Sequence, residues 1–230
     1  MNHREFNRNH PAFSYIISCD YDVALYFDET GETKWYLRQI LASKSAHLDR
    51  LLSVDAHDST DEYNKVTLYR ITGDVFDCMM KHVSDPCAAR SMTKAFAKEL
   101  IPFYDEYEMK DGIKLCDHVL HDYTKILHQA TTGMFENGFG NFDPDYTLKV
   151  NECIEIAQLS KKHDLPMTLE LGKLWITDRL IRDRRLLEQD EDFFFALDIT
   201  QTIEIVKVLF SDQEWELVAP AIGNVYIQTP

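Results

Sequence analysis

The stretch WYLRQILASKSAHLDRLL, residues 35–52, constrains this chain more than any other. It starts with alternation, which places Trp35 and Leu37 on one face of an extended segment. It ends with Leu48, Leu51 and Leu52 at helical spacing. The apolar period therefore changes from 2 to 3.6 within a few residues. Any fold containing it turns a strand into a helix at one corner. Ser45 is expected to cap the new helix, since its hydroxyl can accept from an orphan first-turn amide. The Ala42–Ser45 segment before it reads as a tight turn.

The surrounding pattern sorts into strands first and helices afterwards. DVALYF (22–27) alternates, with Val23, Leu25 and Phe27 on one face. DETGET (28–33) reads as a hairpin turn, Gly31 supplying the permissive backbone, and KWYLR (34–38) is the partner strand. DAHDSTDEYN (55–64) reads as a polar loop, and KVTLYRI (65–71) as a third strand with Val66 and Leu68 inward. From Gly73 on the period is helical. Phe76, Met79, Met80 and Val83 mark a helix that stops at Asp85–Pro86. Residues 92–107 mark a second, with Pro102 inside it predicting a kink or two abutting helices. Residues 113–127 mark a third, its apolar stripe made of Cys116, Val119, Leu120, Tyr123, Ile126 and Leu127. TTGMFENGFGNFDPD (131–145) holds three of the eight glycines and is the best boundary or exposed loop. Helical spacing resumes at Val150, breaks at Leu165–Pro166 and continues through Leu171, Leu174 and Trp175. Ile203, Val206, Leu209 and Phe210 mark another helix, and SDQE (211–214) matches a capping box for a final one. The expected class is α+β followed by an all-α extension.

Charge and cysteine usage exclude several classes. Asp and Glu number 39 against 24 Lys and Arg, a formal net charge of −15. Such a surface repels phosphate backbones, so no nucleic-acid partner is expected. No run of about eighteen apolar residues occurs, so no membrane partner is expected. MNHREFNRNHPAF lacks the apolar core of a signal peptide. The five cysteines form no CxxC, which fits reduced thiols and an intracellular, cytoplasmic or nuclear, location.

Catalytic signatures are sparse. His118 and His121 stand at i, i+3 in CDHVLHDY (116–123), a spacing that lets two imidazoles face one zinc ion. No HExxH and no identifiable third ligand accompanies them. Nucleotide-binding glycine motifs, a P-loop and a nucleophile elbow are absent from the sequence. NGFGNF (137–142) does not bridge a strand and a helix in a phosphate-cradling form. No cofactor, no metal and no catalytic residue is therefore assigned, and a non-enzymatic role is expected.

The ordered series YDVALYF, WYLRQILASKSAHLDRLL and KVTLYRITGDVFDCMMKHV resembles the opening of a BTB/POZ domain. Asp22–Val23, Leu41–Ala42, Ser45 and Leu48 occupy the family's junction positions. ELIPFYDEYEMKDGIKLC (99–116) resembles its closing helix pair, with Tyr107, Met109 and Cys116 at the family spacing. CIEIAQLSKKHDLPMTLELGKLWI (153–176) is similar to the first helices of the BACK domain that often follows. The spacing of Ser160, His163, Leu165 and Leu169 echoes that of Tyr104, Tyr107, Met109 and Ile113. The resemblance implies a tail at 1–19, a BTB/POZ-like domain at 20–128, a loop or linker at 129–147 and a BACK-like helical region at 148–230.

It also implies a protein–protein interaction module: a homodimerising adaptor that recruits substrates to a cullin-based ubiquitin ligase, or a dimerising scaffold outside that system. A dimer interface would use Asp22, Arg38, Ala46, Leu48 and Leu52, with Asp22 and Arg38 forming a charged pocket that fixes register. Without the family, Asp22 reads as a turn residue and Arg38 as a solvated cation. A cullin or client would meet His82, Val83 and Tyr107. Leu37–Arg38 stand where the family usually has His–Lys, and HVSD (82–85) replaces its Tyr-Ile-Tyr-Thr. The hydrophobic-x-Glu signature of cullin-gripping members is not visible near 82–92.

Overall fold

The computed structural model describes residues 22–58, 65–136, 146–189, 203–204 and 206–222. Strands β1 (Asp22–Phe27) and β2 (Glu32–Leu37) form an antiparallel hairpin in which Asp22 faces Leu37 and Phe27 faces Glu32. Its turn needs the left-handed backbone of Gly31, at φ 65. Strand β3 (Lys65–Leu68) lies parallel to β1 on the other side, so the sheet order is β2-β1-β3. A parallel neighbour requires a crossover. Helices α1 (Arg38–Lys44) and α2 (Ala46–Asp58) lie on that crossover.

The predicted turn at 42–45 is corrected: RQILASK is a helix that starts directly at the end of β2. It contains neither Gly nor Pro, and its Leu41 is fully buried, which anchors the helical turn to the core. Ser45 behaves as expected, its hydroxyl accepting from the Leu48 amide at 3.0 Å.

Helix α3 (Gly73–Ser84) is capped by Thr72 and ends at Asp85. The Asp85 carboxylate accepts from the Cys87 amide to start α4 (Pro86–Arg90), with Pro86 in the first turn. Helix α5 (Lys94–Glu106), capped by Thr93, runs through Pro102 as one element, so the two-helix expectation is corrected. Pro102 sits on the exposed face, where the Lys98 carbonyl that loses its amide donor can meet water. Helix α6 (Lys110–Glu136) is longer than expected and takes in 131–136, the first part of the expected boundary or loop. Helices α7 (Tyr146–Lys162), α8 (Pro166–Gln189) and α9 (Asp212–Ile222) complete the described elements. At the start of α9, Ser211 Oγ accepts from the Glu214 amide and Glu214 accepts from the Ser211 amide, the expected capping box. The tail at 1–19, with its alternating Phe13, Tyr15 and Ile17, lies outside the described residues, as do 137–145 and the acidic–aromatic DEDFFF at 190–195.

The internal echo has a physical basis. The α5–α6 and α7–α8 junctions are the same Schellman turn. Glu108 and Asp164 adopt left-handed backbone, at φ 51 and 52. The Met109 amide donates to the Tyr104 carbonyl and the Leu165 amide to the Ser160 carbonyl, each at 2.8 Å. At matching positions the two hairpins exchange large and small residues: Tyr104 goes with Gly112, and Ser160 with Thr168. A methyl on Gly112 would sit 2.2 Å from the buried Tyr104 ring.

Two apolar clusters result. The first gathers the sheet, α1–α3, α5 and the N-terminal half of α6, and also takes Ile156 from α7 and Leu165. The second gathers α7, α8, Val206, Leu209, Phe210 and α9, and takes Leu127 from α6. Helix α6, roughly 40 Å long at 1.5 Å per residue, is thus a spine common to both. Asp117 on α6 strengthens the join. Its carboxylate accepts from the Met167 and Thr168 amides at 3.2 and 2.9 Å and from the Thr168 hydroxyl, capping α8 from fifty residues away. Ile126 and Leu174, both assigned to apolar stripes, are solvent-exposed, whereas Lys173 and Arg179 are buried. No helix among the described residues is long and apolar enough to cross a membrane.

Candidate interaction surfaces

Strand β2 is an edge of the sheet, and its two faces have different fates. The face carrying Lys34 and Tyr36 is locked onto α3. Lys34 Nζ lies 3.0 Å from Asp74 and 2.8 Å from Asp77, the Tyr36 hydroxyl donates to Asp77, and the Tyr36 ring packs edge-on against Phe76. Burial opposes the Lys34 charge, but its carboxylate partners win and raise its pKa. Burial and the Asp77 carboxylate also push up the pKa of the Tyr36 phenol. The other face carries Trp35 and Leu37, 54% and 47% exposed, and Ile40 on α1 follows at 44%. Three large apolar side chains are thus about half exposed along a strand and the helix that follows it, at an edge of the sheet formed by the described strands.

The expected dimer residues divide. The Asp22 backbone starts β1 opposite Leu37, but its side chain lies outside the described residues. Arg38 donates to the Leu52 carbonyl, tying the start of α1 to the middle of α2. Leu48 and Leu52 are fully buried in the protomer's own core, so their place on a dimer face is corrected. A three-stranded sheet needs a cover, and residues four apart on α2 supply it from one side. Ala46 is exposed. The apolar surface beside this junction therefore comes from Trp35, Leu37 and Ile40. Alternation made Trp35 and Leu37 visible in the sequence, but which face turned outward depended on where α3 packed.

The expected partner contacts divide as well. Tyr107 is corrected to a core tie. It is 3% exposed, packs edge-on near Phe76 and His47, and its carbonyl accepts from the Ser45 hydroxyl. Burial pushes its phenol pKa up to about 12. His82 is largely buried, with Cys78 Sγ 3.5 Å from its Nδ1, and Val83 is half-buried beside it. Both line an open groove of about 460 Å³ between the end of α3, α4 and the first turns of α6.

Chemistry elsewhere is subdued. Burial pushes the Cys116 thiol up to about 12 and raises Cys78 and Cys153, which holds all three protonated and weakly nucleophilic. Among the described residues no group of three His, Cys, Asp or Glu side chains is placed to hold a metal ion. His118 is exposed, and His121 lies 3.7 Å from Asp122. Compared with known proteins, the chain matches no family model and no curated protein sequence.

Proposed function

We propose that this chain is a homodimerising protein–protein interaction adaptor of the BTB/POZ type, with a BACK-like helical second half, that recruits substrates to a cullin-based ubiquitin ligase. The observation that carries the interaction role is the exposed row of Trp35, Leu37 and Ile40 on the sheet edge. Contiguous apolar surface of this kind is uncommon on a chain that stays alone in water. The β-β-α-α-β order, with β3 parallel to β1, and the helical remainder are compatible with the family reading. A stable dimer would need about 800 Å² buried per protomer. The exposed row supplies an apolar centre for such a patch, and Ala46 extends it.

Sedimentation equilibrium at micromolar concentration tests the dimer: twice 26.9 kDa is expected, and a monomer sinks this reading. A second reading, a dimerising scaffold outside the ligase system, is favoured by the burial of Tyr107 and by the lack of a hydrophobic-x-Glu signature near 82–92. A pull-down with purified cullin decides between them. Binding supports the adaptor, and no binding at tens of micromolar supports the scaffold.

A further inference from the structure

We draw no further inference here: the strongest candidate, the open groove between the end of α3, α4 and the first turns of α6, carries nothing, because Lys44 and Lys114 are balanced there by Asp85 and Asp111 and nothing in the structure shows what covers it.

Discussion

Gly112→Ala should destabilise the protein even though it improves helix propensity. Gly112 lies in the first turns of α6, where an added methyl would come 2.2, 2.4 and 2.5 Å from three atoms of the Tyr104 ring. That ring is fully buried in the first cluster, and its hydroxyl reaches the Met79 carbonyl, so it cannot swing aside. Replacing Gly by Ala inside a helix gains about 1 kcal/mol. Forcing a methyl into a filled core costs about 1–3 kcal/mol, and direct overlap with an aromatic ring belongs at the upper end. The net expectation is a loss of about 2 kcal/mol, or a fall in Tm of roughly 4–8 °C for a chain of this size. Tyr104→Ala alone should cost about 3–5 kcal/mol. In the double variant the new methyl enters space that the ring has vacated, so the two losses should fall short of their sum by about 1–3 kcal/mol. Urea unfolding followed by tryptophan fluorescence, at one fixed protein concentration, measures all three. A Gly112→Ala variant as stable as the parent, or a double variant that is additive within about 0.5 kcal/mol, would refute the packing account.

Three further outcomes follow from other contacts. Asp117→Ala removes the carboxylate acceptor of the buried Thr168 amide and the part-buried Met167 amide, while the Thr168 hydroxyl keeps the Asp117 carbonyl; it should cost about 1–3 kcal/mol in the same unfolding experiment, and Asp117→Asn should recover part of it. Glu214 is held down to about 2 by the Ser211 amide, with Lys173 next in weight. Its folded pKa lies below the unfolded value, so its contribution is present above about pH 4.5 and is lost as pH falls towards 2. Glu214→Gln should flatten the dependence of stability on pH in that window, and an unchanged slope contradicts the assignment. Leu37→Asp combined with Ile40→Asp should halve the mass seen in sedimentation without lowering Tm, because both side chains are exposed in the protomer; retention of the dimer would place its interface elsewhere.

Local signals in the sequence were enough for several element boundaries. Gly31 marked the hairpin, Asp85–Pro86 the end of α3, Pro166 the start of α8, and Ser211 with Glu214 a capping box. Each is a short-range steric or hydrogen-bonding constraint and acts the same wherever the chain is placed. The alternation of Trp35 with Leu37, and the spacing of Leu48 with Leu52, also fixed which residues share a face. Sidedness was a different matter. Leu52 is inside and Leu37 outside because α2 covers the sheet while α3 occupies only one face of β2. Ile126 and Leu174 carry helical periodicity and are nonetheless exposed, since their helices already meet their neighbours on another face. The Asp117 cap left no trace in the sequence, because its partners are fifty residues distant and only the packing of α8 on α6 brings them together. The groove at His82 and Val83 likewise exists only where α3, α4 and α6 converge. What the sequence by itself determined was where capping and turn residues punctuate the chain and which residues lie together on a face; it did not show α1 or the full length of α6. Tertiary packing alone decided which of those faces meet water, because burial depends on what else is near and not on local period.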